Sequence, residues 1–233
     1  MLRKETVEEG TLDLIKKLMV DDVFRDFNLV GGTALSLMIG HRKSIDIDLF
    51  TNKDFSSHEI AEYLANRYNA ENIQSIKNGV FCFINNIKVD IIAHQYPLVE
   101  KLEIIENIRM VSLLDIGAMK LNAIYDNGTR LKDFVDIFAL LQYFSLDQLL
   151  SALGKKYPEI DVSMVGKSLL YHEDIQMKEP IYYIGPEIKW PQIAERLRSA
   201  LHTPSLIFSN HSDLTLKLLG KSAKHKISKR KRF

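Results

Sequence analysis

The chain has 233 residues, of which 46% are hydrophobic and 26% charged, with a formal net charge of +1. It is therefore long enough to bury a core as one domain, with or without a helical extension. The single cysteine, Cys82, excludes a disulfide framework, and the sequence contains neither a run of about 18 apolar residues nor a signal-peptide pattern. We expect a cytoplasmic protein with no membrane contact and Cys82 in the core.

The charge is distributed unevenly along the chain. Residues 221–232 contain seven Lys or Arg and no acid, so residues 1–220 carry a formal charge of −6. This end has too few apolar residues to pack, and we expect a basic flexible tail over residues 221–233. It either keeps the protein soluble or contacts nucleic-acid phosphates, for which the candidates are Lys224, Lys226, Lys229, Arg230, Lys231 and Arg232.

The first element is a predicted helix over residues 6–25. Apolar residues recur at helical spacing, and acidic residues lie near the start, where the positive end of the helix dipole stabilises them. The apolar positions are Leu12, Ile15, Leu18, Met19 and Val23. This pattern is typical of a helix packed on a sheet, and we expect no chemistry from it.

The second element is a short apolar run that ends at Gly31-Gly32, followed by a predicted helix over residues 33–39. Residues without a Cβ atom at a helix N-terminus let backbone N–H groups approach an anion closely, with the helix dipole behind them. A triphosphate is the anion that we expect here. A Gly-Gly pair taken alone is more often an ordinary turn.

The next apolar run carries two acids, Asp46 and Asp48. In a strand, alternate side chains share a face, so both acids would lie on one face, with Ile45, Ile47 and Leu49 on the core face. Adjacent carboxylates repel each other unless a cation lies between them. The pattern therefore predicts a Mg²⁺ ion held together with phosphate oxygens.

Two more strands are predicted over residues 73–85 and 87–94, with a tight turn at Asn85-Asn86. Asp90 and Lys88 lie on one face of the second strand. Taken alone, an acid at this position is more typical of a sheet edge or an ion pair.

From about residue 110 the pattern becomes helical. Lys120 lies within the first predicted helix of this half, and Asp133 and Asp136 lie beside the apolar face of the segment 130–144. Further helices are expected over residues 145–153, 160–170 and 191–201. We expect Tyr182, Tyr183 and Trp190 to form an aromatic cluster of the core rather than a surface on which bases stack.

Four segments of the sequence resemble a known family. The segments GGTAL at residues 31–35 and HRKSIDIDLF at residues 41–50 resemble the opening motif of the nucleotidyltransferase superfamily related to DNA polymerase beta. More narrowly, they resemble the AbiEii-type nucleotidyltransferase toxins, as do DIGAMKLNAI at 115–124 and RLKDFVDI at 130–137. The resemblance spans about residues 28–144.

The resemblance implies an α/β (α+β) fold with a small mixed sheet flanked by helices. It suggests a catalytic core over residues 1–108 and a mostly helical part over residues 109–220 that completes the active site. The implied activity is magnesium-dependent transfer of a nucleoside monophosphate from an NTP to an acceptor, with release of pyrophosphate.

The resemblance also implies roles for individual residues. Asp46, Asp48 and Asp90 would hold two Mg²⁺ ions, and Lys120 would face the nucleotide phosphates. One aspartate of the later block belongs to the site; we favour Asp136, which would orient Lys120 or the acceptor, whereas Asp133 would balance Arg130 or Lys132. The expected nucleotide-binding residues are Gly31, Gly32, Thr33, Arg42, Ser44 and Lys120.

The family resemblance points to an RNA acceptor, such as the 3′ end of tRNA, and to a cognate antitoxin protein as partner. The main alternative with the same chemistry is a small-molecule acceptor of the aminoglycoside type. An alternative from another class is a catalytically silent protein that keeps the fold and binds nucleic acid or a partner through its basic tail.

Overall fold

The computed structural model describes residues 1–208. The basic residues from Lys224 to Arg232 lie outside the described residues, so the predicted tail stays a prediction. Within residues 1–208, no helix is both long and apolar enough to cross a membrane.

One mixed sheet of seven strands runs through the molecule, in the order β3-β4-β5-β2-β1-β7-β6. Strand β2 pairs in parallel with β5, and β1 in parallel with β7, whereas the other neighbours are antiparallel. The predicted mixed sheet is therefore confirmed. The strands are β1 (Asn28–Leu29), β2 (Ile47–Thr51), β3 (Glu71–Ile76), β4 (Gly79–Ile84), β5 (Ile87–Ala93), β6 (Glu103–Ile105) and β7 (Ile108–Met110).

Eight α-helices surround this sheet within residues 1–208. Five of them follow the last strand, which confirms the predicted helical second half. The helices are α1 (Glu9–Val20), α2 (Gly31–Ile39), α3 (Ser57–Tyr68), α4 (Leu113–Asp126), α5 (Leu131–Leu140), α6 (Leu146–Lys156), α7 (Val162–Ser168) and α8 (Trp190–His202).

Several predicted boundaries were wrong. The helix expected over residues 6–25 stops at Val20, because the Asp21 side chain accepts the Val23 N–H and begins a separate 3-10 turn, Asp22–Phe24. The strand expected over residues 73–85 is two strands, β3 and β4. Asn78, with φ of 60° between them, adopts the left-handed conformation that a tight turn requires.

The hairpin predicted at Asn85-Asn86 is confirmed, since both residues have positive φ, 51° and 63°, as in a type I′ turn. Strands β6 and β7, of three residues each, are too short for their alternation to be recognised in the sequence.

The centre of the sheet positions the two acids that matter most. Ile47, Leu49, Val89 and Ile91 of β2 and β5 are completely buried, and Cys82 of β4 is buried beside them, as predicted. Because side chains alternate along a strand, Asp48 and Asp90 project from the opposite face. That face opens into a pocket of about 570 Å³.

Candidate active site

Two acids lie side by side on neighbouring strands. The parallel register of β2 and β5 places Asp48 directly opposite Asp90. Asp46 lies one residue before β2 begins, and all three acids line one pocket of about 570 Å³. Ile45, predicted on the core face, is instead 59% exposed, because the strand starts only at Ile47 and its alternation does not extend back to residue 45.

The acids on this face are poorly compensated. Burial, and then the charge of Asp90, raises the pKa of Asp48 to about 6. Oδ2 of Asp90 accepts a hydrogen bond from Lys88 Nζ at 2.5 Å, whereas Oδ1 is buried and has no hydrogen-bond partner among the described residues. A cation between the two carboxylates would relieve both features.

The donor chemistry of this face suits Mg²⁺, which prefers carboxylate oxygens together with phosphate oxygens and water. The paired register of Asp48 and Asp90 and the unpartnered Asp90 oxygen fit such an ion. Within residues 1–208, however, no three His, Cys, Asp or Glu side chains already stand in an arrangement that would hold a metal. The Lys88 ammonium, bonded to Asp90, would have to move aside for the three acids to close around an ion.

The glycine turn lies against these acids. Gly31 begins α2 with a φ of +69°, and a Cβ atom on it would lie 2.3 Å from Asp48 Oδ2. A Cβ atom on Gly32 would lie 2.5 Å from Arg42 Nη2. The Gly31 backbone therefore lies directly against the Asp48 carboxylate, and the N-terminus of α2, whose first N–H groups have no partner within the helix, begins beside the acids.

Two hydroxyl groups fix the segment that leads into β2. Thr33 Oγ1 donates to the backbone carbonyl of Asp46 and lies 2.9 Å from Ser44 Oγ. Thr33 is buried and does not line the pocket, whereas Ser44 does. Thr33 therefore holds the acidic segment against α2, and Ser44 presents its oxygen to the pocket.

A network of buried ions joins the opening motif to α4 and α5. Lys120 Nζ lies 2.6 Å from Asp133 Oδ1 and 2.9 Å from Asp136 Oδ2. Arg42 donates from Nε and Nη2 to the two oxygens of Asp136, at 2.7 and 2.9 Å. Such a two-point contact is the strongest geometry that a guanidinium and a carboxylate can form.

Asp136 is completely buried, and His41 Nε2 lies 2.8 Å from its Oδ1. Burial alone would raise the pKa of this carboxyl, but the Arg42 and Lys120 cations hold the pKa well below its usual range. Asp136 is therefore ionised, and it fixes both cations in place.

The sequence of this chain matches one protein family over most of its length. Residues 13–207 match the family model described as "Nucleotidyl transferase AbiEii toxin, Type IV TA system". The chain belongs to this family. This AbiEii-family chain is a nucleotidyltransferase, as the opening motif suggested.

Three known proteins are similar to this chain in sequence or in structure. An uncharacterized protein of Aquifex aeolicus (strain VF5) is 32% identical over 189 residues, which cover 78% of this chain and 90% of that protein. The crystal structure of a candidate nucleotidyltransferase from Helicobacter pylori is 20% identical, with a TM-score of 0.52, over 84% of this chain and 94% of that one. The structure of JHP933 from Helicobacter pylori is 19% identical, with a TM-score of 0.52, over 94% and 99%. At these identities, the two structures support the fold alone.

In this AbiEii-family chain, most of the expected site residues meet in one place. Those that line the common pocket are Gly31, Gly32, Arg42, Ser44, Asp46, Asp48, Asp90 and Lys120. Asp136 does not line the pocket, but it contacts Lys120. Asp133 lines the pocket and contacts Lys120 more closely than Arg130, which is 3.8 Å away, and Lys132 pairs with Glu179 instead.

Residues 180–182 also line the pocket, and the sequence did not predict their contribution. Lys43 N–H donates to the Tyr182 carbonyl at 2.7 Å, and Ile184 N–H donates to the His41 carbonyl at 3.2 Å. Tyr182 lines the pocket and is 67% exposed, so the prediction that it belongs to the core was wrong. Tyr183 and Trp190 of the expected aromatic cluster are partly buried against the core, and the Trp190 ring lies 5.8 Å from that of Phe134.

Proposed function

We propose that this nucleotidyltransferase is magnesium-dependent and moves a nucleoside monophosphate from an NTP to an RNA acceptor, such as the 3′ end of tRNA. The observation that carries the proposal is the pairing of Asp48 with Asp90 beside the Gly31 turn, in one pocket. Acids that repel each other next to a helix N-terminus suit a divalent cation and a polyphosphate together.

Each acid has a role in this proposal. Asp46, Asp48 and Asp90 would together hold the two Mg²⁺ ions, with Asp90 holding the ion nearer the acceptor hydroxyl. When bound, the two ions supply charge neutralisation for the attacking and leaving oxygens of an in-line displacement. As the oxygen of the acceptor hydroxyl bonds to the α-phosphorus and pyrophosphate departs, the Asp90 carboxylate accepts the proton of that hydroxyl.

The cations and N–H groups position the triphosphate. The N-terminus of α2 and the Ser44 hydroxyl face the pocket, and Lys120 is held there by Asp133 and Asp136. Phosphoryl transfer gives a protein little covalent work, so positioning and charge stabilisation carry the rate. Asp136 acts indirectly, as the residue that positions Lys120 and Arg42.

The charge of the pocket wall supports an RNA acceptor over an aminoglycoside. Six Lys or Arg side chains line the pocket against five Asp, and bound Mg²⁺ would offset the charge of Asp46, Asp48 and Asp90. These cations would attract a nucleic-acid backbone and repel a polycationic small molecule. Membership in a Type IV toxin–antitoxin family supports the toxin role, in phage defence, and a cognate antitoxin as partner.

The test is transfer of label from each α-labelled NTP to total tRNA in the presence of Mg²⁺. We expect label on RNA from the wild type and none from Asp46→Ala, because this change removes one of the carboxylates that would hold Mg²⁺. Asp13→Ala, which removes an exposed acid of α1, is the matched control and should transfer normally.

Two other results would contradict the proposal. Transfer to an aminoglycoside but not to RNA would favour the small-molecule alternative. Calorimetry that detects no Mg²⁺-dependent NTP binding by the wild type would favour a catalytically silent binding protein.

A further inference from the structure

Two large apolar side chains are exposed at the pocket that contains the acids. Tyr182 is 67% exposed and Ile45 is 59% exposed, and both line this pocket. Pro180 and Ile181, which precede Tyr182, line it too. An exposed apolar surface at the wall of a polar pocket indicates a contact with a ligand that has an apolar face of its own.

The backbone holds Tyr182 in a fixed position beside the opening motif. Its carbonyl accepts the Lys43 N–H at 2.7 Å, and the neighbouring residue Tyr183 forms a β-bridge with Arg42. Glu179, just before this segment, pairs with Lys132 at 2.8 Å. The backbone of Tyr182 is therefore fixed at the wall of the pocket before any ligand binds, so little backbone entropy would be lost on binding.

We propose that Tyr182 is the residue on which a nucleobase stacks, with Ile45 adding apolar surface beside the acids. The inference rests on the proposed function and adds to it a residue that positions the substrate. Aromatic side chains stack on bases of any kind, and nearby cations hold the phosphates that accompany them. Lys43 lines the same pocket and supplies such a cation.

Two bases enter such a reaction, that of the incoming NTP and that of the acceptor's terminal nucleotide. Stacking chemistry is the same for both, so the experiment has one arm for each. The first arm measures binding of Mg²⁺ with ATP, CTP, GTP or UTP, and of Mg²⁺ with inorganic tripolyphosphate, which has no base. The second arm measures KM for total tRNA in the transfer reaction.

The variants are Tyr182→Ala and Tyr182→Phe, with Tyr143→Ala as matched control. Tyr143 is 49% exposed and does not line the pocket. We expect Tyr182→Ala to weaken NTP binding about 10-fold, as for loss of one aromatic–base contact, and to leave tripolyphosphate binding unchanged. If the acceptor base is the one that stacks, KM for tRNA rises about 10-fold instead. Tyr182→Phe should restore binding, because the ring is kept.

Three results would overturn the inference. Tyr182→Ala equal to wild type in both arms would show that no base stacks there. An equal loss of tripolyphosphate binding would show general damage to the pocket. Failure of the wild type to bind any Mg²⁺–NTP would remove the proposed function and the inference with it, whereas normal wild-type transfer with an unaffected Tyr182→Ala variant would remove the inference alone.

Discussion

Two groups of charges adjoin the same pocket, and they are arranged in opposite ways. The carboxylate pair, Asp48 and Asp90, brings like charges together, with the half-exposed Lys88 as the cation bonded to it. The ion network places Arg42 and Lys120 against Asp133 and Asp136 in a buried setting. The pKa of Asp48 is raised to about 6, mainly by burial, whereas that of Asp136 is held well below its usual range.

The difference separates a site for a ligand from a support for that site. Charges that compensate each other hold two halves of the chain together, and here Arg42 of the opening motif is joined to α4 and α5 through Asp136. Like charges such as Asp48 and Asp90 repel each other, and a bound cation would remove this repulsion, so such a pair is typical of a ligand site. Variants in each group should therefore change stability in opposite directions.

The largest expected effect is that of Asp136→Ala. The change leaves Arg42 and Lys120 buried with one carboxylate fewer, and breaking a buried ion pair in this way costs about 3–5 kcal/mol of unfolding free energy. Urea denaturation of wild type and variant at pH 7.5 measures the loss. Asp13→Ala is the matched control, because Asp13 is exposed on α1, and it should stay within about 0.5 kcal/mol of wild type.

A loss below about 1 kcal/mol for Asp136→Ala would contradict the view of the ion network as structural support. The same variant should also bind Mg²⁺–NTP more weakly, because Lys120 loses one of the two carboxylates that orient it.

The second effect has the opposite sign. Because the pKa of Asp48 is raised from 3.8 to about 6 in the folded protein, ionisation of this group opposes folding. The unfolding free energy therefore has its full value below pH 3.8 and falls as the pH rises through 6. The total fall is about 3 kcal/mol, at 1.36 kcal/mol per pKa unit. Asp48→Asn should therefore raise the unfolding free energy of the metal-free protein by about 2–3 kcal/mol at pH 8 and by little at pH 4.

Urea denaturation across this pH range, with EDTA present, measures the gain from Asp48→Asn. Adding Mg²⁺ should stabilise the wild type and leave the variant nearly unchanged, and nucleotidyl transfer by the variant should be lost. A variant less stable than the wild type at pH 8 would show that the carboxylate pair does not repel as the structure indicates.

The sequence predicted the carboxylate pair far better than it predicted the ion network. Alternation along a strand is local, so Asp46, Asp48 and Asp90 were recognised from spacing and from family resemblance. The contact between Arg42 and Asp136 spans 94 residues, and nothing in the local pattern of either segment reveals it. Arg42 was therefore expected to bind the nucleotide, although its guanidinium is held by Asp136.

The apolar residues at the pocket show a different limit. Ile45 and Tyr182 were assigned to the core because large apolar side chains are usually buried. Their exposure depends on where β2 begins and on the return of residues 180–184 to the opening motif, and both are set by tertiary contacts. The fold class could be predicted from element types and family resemblance, whereas the exposure of these two side chains depends on the tertiary structure.

The smallest expected effect concerns the cation of the carboxylate pair. Lys88 Nζ lies 2.5 Å from Asp90 Oδ2 with its side chain 45% exposed, so it occupies one of the oxygens that a Mg²⁺ ion would use. Lys88→Met removes this competitor while keeping the length of the side chain. We expect half-maximal NTP binding at an about 3- to 10-fold lower Mg²⁺ concentration, equivalent to roughly 1 kcal/mol.

Lys53→Met is the matched control for this titration, because Lys53 pairs with Asp26 at 2.9 Å on the surface and does not line the pocket. It should leave the Mg²⁺ requirement unchanged. A higher Mg²⁺ requirement for Lys88→Met would mean that the ammonium binds the triphosphate alongside the metal rather than competing with it. In that case Lys88 would be a cation that the reaction uses. The carboxylate pair would then differ from the ion network in being exposed, and not in lacking a compensating charge.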